Sequence, residues 1–140
     1  MTMNFIRLGD ELRIERIPVD VDPKLGYVQI GIRSYGKGIF RRDKVPGDEL
    51  GRLKFFEVRP GRLIVSNIMA WEGAIAVSSA DDAGCVGSHR FLSYIPSPKI
   101  DIRYLNYYFQ SEGGRAAIKG TSTGTVLRNQ TLSIKDFENL

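Results

Sequence analysis

At 140 residues, with 42% hydrophobic and 26% charged residues, the chain is long enough to bury a core within one domain and too apolar to be a disordered polymer. Its net charge of +4 is modest, no apolar run approaches the ~20 residues of a membrane-spanning helix, and the charges at Arg7, Asp10, Glu11 and Arg13 leave no room for a signal-peptide h-region. The lone Cys85 excludes an internal disulfide and fits a reducing, cytoplasmic setting; with His89 it supplies too few ligands for a metal, so neither metal nor cofactor is expected.

In chain order, residues 1–16 predict one short helical turn leading into a strand. Residues 17–26, with Pro18, Pro23 and several Asp, predict a loop. Residues 27–32 (YVQIGI) read as a strand, and 33–37 (RSYGK) as a basic, aromatic loop before the apolar pattern resumes at Ile39 and Phe40. Residues 41–51 are polar with a Pro-Gly turn at 46–47. Residues 53–58 read as a strand or short helix, closed by the turn Arg59-Pro60-Gly61. The run 62–66 is a strand, 67–72 breaks its pattern, and 73–77 resumes it. Asp81-Asp82-Ala83-Gly84 is a turn signal, and Phe91, Ser93 and Ile95 alternate with Leu92 and Tyr94 at a period of two. After Pro96 and Pro98, Asp101 caps a helix through Ile102, Leu105 and Phe109. Ser111 or Glu112 starts a second helix through Ile118, against which Gly113 and Gly114 count. Residues 120–124 (GTSTG) read as a small polar loop, 131–134 as a last short strand and 135–140 as one helical turn. This order predicts an α+β fold with a twisted, mixed or antiparallel β-sheet and a few short helices.

Three sets of residues could carry chemistry. Ser66 or Ser88 with His89 and Glu72 would make a serine-type hydrolase, but adjacent Ser88 and His89 on a strand point to opposite faces, and no G-x-S-x-G elbow is present. The 120–124 loop lacks the Lys-Ser/Thr ending of a nucleotide-binding P-loop, and its hydroxyls and N–H groups would suit a DNA phosphate or simply a turn. The third set is a nucleic-acid face. Residues 28–62 hold 9 basic and 4 acidic groups, a net of +5, while 1–27, 63–100 and 101–140 carry −1, −1 and +1. Within it Arg33, Tyr35, Lys37, Arg41 and Arg42 combine charge with an aromatic ring, and Arg or Lys neutralises phosphate or donates to guanine. Asn67, Trp71, Glu72, His89, Arg90, Arg128 and Asn129 extend this set. Trp71 serves equally as a packing centre, and Arg90 equally as an ion-pair partner of Glu72 or Asp82.

The motifs at 27–40 (YVQIGIRSYGKGIF), 55–58 with Pro60-Gly61, 66–77 (SNIMAWEGAIAV), 87–91 (GSHRF), 104–109, 122–125 and Arg128-Asn129 occur in one order. The ordered set resembles the target-recognition domain of the specificity (HsdS) subunit of type I restriction–modification systems. That resemblance implies a non-catalytic domain that reads one half of a split site in double-stranded DNA and delivers methyltransferase subunits and, in the full system, a restriction subunit. In that family two such domains are joined by long spacer helices. This sequence stops at 136–140, about where a spacer would begin, so the resemblance implies a single recognition domain at 1–140 that forms a homodimer or pairs with a second one. A protein-interaction decoy is the remaining alternative.

Overall fold

The computed structural model describes residues 7–123 and 131–140. The chain opens with a helical turn, α1 (Leu8–Glu11), which runs directly into β1 (Leu12–Glu15). There follow β2 (Gly26–Tyr27), β3 (Ile30–Arg33), β4 (Gly38–Arg41) and β5 (Val45–Pro46). After a 3₁₀ turn at Gly47–Leu50 come β6 (Phe55–Glu57) and β7 (Leu63–Ser66). Further 3₁₀ turns at Ala70–Glu72 and Ala80–Asp82 flank β8 (Ile75–Val77). The chain continues through β9 (Val86–Ser88), β10 (Phe91–Pro96), α2 (Ile102–Gln110) and α3 (Glu112–Gly120). It ends on β11 (Ser122–Thr123), β12 (Thr131–Leu132) and α4 (Ile134–Glu138).

The fold is α+β, as the order of elements predicts. The central sheet is antiparallel, in the order β1–β10–β7–β8. Strand β7 lies inside it with both faces covered, which is why it reads as an unbroken apolar run. Leu63 and Val65 point to one side with Leu92 and Tyr94 of β10, and meet Leu105, Phe109, Ile118 and Phe137 of α2, α3 and α4. Ile64 points to the other side, where Ile30, Ile32 and Ile39 of the β3–β4 hairpin pack with Val58, Cys85 and Phe91. A third cluster of Leu50, Phe55 and Val86, flanked by Val19, Val21 and Tyr27, lies beside the β6–β9 pair. Side chains pointing alternately up and down the central strand therefore hold the helices on one face and the hairpin on the other.

Both helix caps are made by the residues the sequence marks. The Asp101 side chain accepts from the Arg103 N–H at 2.9 Å, and the Ser111 hydroxyl accepts from the Gly114 N–H at 3.1 Å. Gly114 is required by the tight α2–α3 junction: a Cβ there would lie 1.9 Å from the carbonyl oxygen of Tyr108. What argues against a helix by propensity is demanded here by packing.

Three expectations are corrected. The predicted strand 27–32 is split, because its two ends have different partners. Gly26–Tyr27 pairs with Val45–Pro46, Ile30–Arg33 pairs with Gly38–Arg41, and the Val28 carbonyl between them accepts from Val86. The 120–124 loop is in part strand, since Ser122 and Thr123 pair with Leu132 and Thr131. The predicted strand 131–134 ends at Leu132, because the Ser133 hydroxyl accepts from the Asp136 N–H and starts α4.

Candidate nucleic-acid interface

The β3–β4 hairpin is built by strand alternation. In an antiparallel pair, residues directly opposite share a face. Ile30 lies opposite Arg41 and Ile32 opposite Ile39, and this face turns toward the sheet. Gly31 lies opposite Phe40 and Arg33 opposite Gly38, and this face turns outward. The register therefore sends the adjacent cations Arg41 and Arg42 to opposite sides. Arg41 Nη1 donates to Asp82 Oδ1 at 2.9 Å. The same carboxylate accepts from the Ser79 N–H in a capping box. Arg42 instead lies over the Phe40 ring, 5.4 Å from its centroid, and Arg33 lies over the same ring at 5.0 Å. Two guanidinium groups thus rest on one aromatic platform with their donors exposed.

At the tip, Tyr35 and Gly36 both have positive φ, 61° and 71°, the signature of a type I′ turn. The tip is docked on the loop that links β7 to β8. The Tyr35 N–H donates to the Glu72 carbonyl at 2.8 Å, and the Gly36 N–H to the Gly73 carbonyl at 3.2 Å. The Ser34 hydroxyl donates to the Glu72 carboxylate at 3.0 Å. Tyr35 remains 56% exposed, and Lys37, two residues on, is exposed.

The loop after β7 and the turn before β10 stand at the same end of the central sheet, because Phe91 pairs with Ser66. Asn67 joins them: its N–H donates to the Arg90 carbonyl at 2.8 Å, and its own carbonyl accepts from Leu132 at 2.6 Å. Its Oδ1 is buried with no partner among the described residues. His89 and Arg90 are exposed. Trp71 is half-buried and spends its indole N–H on the Ile68 carbonyl at 3.1 Å, within its own turn. The structure thus brings the 33–37 tip, the 67–73 loop and the 89–90 turn to one end of the sheet. Arg42 is carried on the outer face of the hairpin, and Arg41 is drawn inward to Asp82. Arg128 and Asn129 lie outside the described residues.

The hydrolytic set does not assemble. The Ser66 hydroxyl accepts from the Met69 N–H and the Ser88 hydroxyl from the Arg90 N–H. Neither meets His89, which makes no hydrogen bond among the described residues, and Glu72 is taken by Ser34. Among the described residues no three acidic, His or Cys side chains gather as metal ligands, and no helix is long and apolar enough to cross a membrane. Cys85 is buried, and desolvation with the nearby Asp82 carboxylate pushes its thiol up from the ordinary value, against a smaller opposing pull from Arg41. It is a packed side chain and a poor nucleophile.

Two residues near the tip escaped sequence reasoning. Arg115 of α3 lies over the Tyr35 ring at 5.0 Å, and Gln110 of α2 donates to the Gly73 carbonyl at 3.1 Å. No local pattern marks either one, because each meets a segment dozens of residues away.

A basic hairpin thus lies on one face of the antiparallel sheet and the α2–α3 pair on the other. No protein-family model matches the chain, and no curated protein matches its sequence. Among solved structures, the HsdS subunit from Thermoanaerobacter tengcongensis superposes with a TM-score of 0.73 at 19% identity, over 96% of this chain and 35% of that one. A chain from a structure describing complex assembly and conformational transition of the type I R-M system superposes with a TM-score of 0.63 at 16% identity, over 96% of this chain and 38% of its own length. The fold is HsdS-like, and the chain spans little more than a third of the length of these structural relatives.

Proposed function

We propose that this chain binds double-stranded DNA and reads one half of a bipartite site, as the non-catalytic specificity component of a type I restriction–modification assembly. The observation that carries the proposal is the likeness to HsdS over 96% of the chain, with an outward cationic hairpin where a recognition surface is needed. Arg33 and Arg42 resting on Phe40 are partly pre-ordered, so they give up less side-chain freedom on meeting phosphate or a guanine edge. Lys37, Tyr35, His89 and Arg90 complete the contact set in this reading, while Arg41, Glu72 and Trp71 hold its loops. The partners are duplex DNA, methyltransferase subunits and a restriction subunit, in the cytoplasm, with a second recognition domain or a second copy reading the other half-site.

The test is duplex binding as a function of salt. The logarithm of the affinity falls linearly with that of the salt concentration, with a slope of about 0.9 per phosphate neutralised. A flat response overturns the proposal. On the duplex selected by the wild-type chain, Arg33→Ala costs ~1–3 kcal/mol and relaxes preference at one base pair if Arg33 grips guanine with both donors. An equal loss on every sequence makes it a phosphate contact.

A further inference from the structure

Among the described residues Tyr35 is the non-glycine residue with positive φ. For a side chain with a Cβ this conformation is strained, and a type I′ turn ordinarily takes Asn or Gly at that position. An aromatic residue persists there only when its surroundings over-determine it. They do so from three separate parts of the chain. The 72–73 backbone takes the N–H groups of Tyr35 and Gly36. Gln110, at the end of α2, ties down the Gly73 carbonyl. Arg115, on the first turns of α3, lies across the Tyr35 ring, and its Nη2 reaches Gln110 Oε1 at 3.5 Å.

Arg115 is unusual on two counts. It makes no ion pair among the described residues, and its Nε is buried without a partner there. Burying an unpaired guanidinium N–H costs free energy, so packing alone gives no reason for an arginine here. A planar, delocalised cation against an aromatic face gives one, since the compact lysine ammonium offers no plane to the ring and a neutral side chain no charge. The tyrosine it backs remains 56% exposed. The fold therefore accepts strain at Tyr35 and an unpaired group at Arg115, and the two together hold an aromatic ring outward.

We propose that Gln110 and Arg115 are positioning residues that clamp the strained hairpin tip so that the Tyr35 ring projects into the DNA groove in a fixed pose. The inference rests on the DNA-binding reading above. In it the α2–α3 pair, which touches no DNA, sets the sequence preference at the base pair that Tyr35 meets. Tyr35 packs its edge against that base pair and its sugar, and Arg115 stays behind the ring.

The 140-residue chain and its Y35A, Q110A, R115A and R115K variants test this with two readouts. The first needs no DNA. By amide hydrogen exchange, R115A and Q110A speed exchange at Tyr35 and Gly36 about tenfold while Ile64 in β7 is unchanged, and R115K restores part of the protection. Unchanged exchange at Tyr35 overturns the clamp. The second uses a duplex selected by the wild-type chain from a randomised library. Y35A and R115A broaden preference at the same base pair and leave the salt slope intact. A slope lower by about one in R115A shows that Arg115 itself meets a phosphate, and overturns the positioning role. If the wild-type chain selects no duplex, the DNA reading fails, and the exchange result alone decides whether the helices hold the tip.

Discussion

Removing the Arg41 guanidinium would leave Asp82, whose side chain is 4% exposed, with no cation beside it. The pair is half open to solvent on the arginine side, so the loss is smaller than for a fully buried pair. Arg41→Ala lowers unfolding stability by about 1–3 kcal/mol in a denaturant titration. It leaves the salt slope of DNA binding where it was. Arg42→Ala does the reverse: stability stays within about 0.5 kcal/mol, and the slope falls by about one if Arg42 meets a phosphate. Two adjacent arginines of the same composition thus separate by their place in the register. A one-residue slip of β4 against β3 would exchange their roles.

Phe40 can serve as a platform because the residue across from it has no side chain. A Cβ on Gly31 would lie 2.3 Å from the Phe40 ring, so Gly31→Ala pushes the ring off the strand and removes the seat of both Arg33 and Arg42. The two cation–π contacts are worth ~0.5–1 kcal/mol each at an exposed site, so DNA affinity falls by up to about thirtyfold if the whole of that pre-ordering is lost. Fluorescence anisotropy with a labelled duplex measures this, and an unchanged affinity would mean that the platform contributes nothing to binding. The elements of this surface were unevenly legible in the sequence. The alternation at 91–95 and the apolar run at 62–66 gave the central strands, since a period of two and full burial both leave a trace in residue type. The cap at Asp101 was equally open to reading. Two-residue strands such as Gly26–Tyr27 leave no period to detect, and their partners are set by tertiary contact alone. The candidate site could be read as a set of basic and aromatic residues, and that set remains a proposal. Its inward and outward division was not, because that needed the pairing of Ile30 with Arg41. Gln110 and Arg115 were invisible for the same reason.

The two ends of the described chain close on each other. The Leu8 N–H donates to the Leu140 carbonyl at 3.0 Å, and Arg7 Nε donates to Asn139 Oδ1 at 2.9 Å. This closure seats Phe137 of α4 in the main core, 5.4 Å from the Tyr94 ring and 5.8 Å from Phe109. Tyr94 therefore sits where the central sheet, α2 and α4 meet, fully buried, with a hydroxyl that has no partner among the described residues. Burial, reinforced by Glu138 and opposed by Arg16, pushes that hydroxyl well above its ordinary value of 10.0. The native state then keeps the proton at a pH where the unfolded chain has lost it. Below about pH 10 both states are protonated, and the group contributes nothing to the pH dependence. Above it the unfolded state binds fewer protons than the native state, so stability falls as pH rises, by at most ~1.4 kcal/mol per pH unit from this one residue. Tyr94→Phe removes that slope. Because the lost hydroxyl had no partner among the described residues, the substitution is neutral or stabilising by about 1 kcal/mol at neutral pH. Denaturant titrations of both proteins at pH 8, 10 and 11 therefore give curves whose difference grows only above pH 10, in favour of the phenylalanine variant. A constant difference across that range would mean that Tyr94 ionises as readily in the folded core as in water, and that the seat made by the two chain ends is not closed.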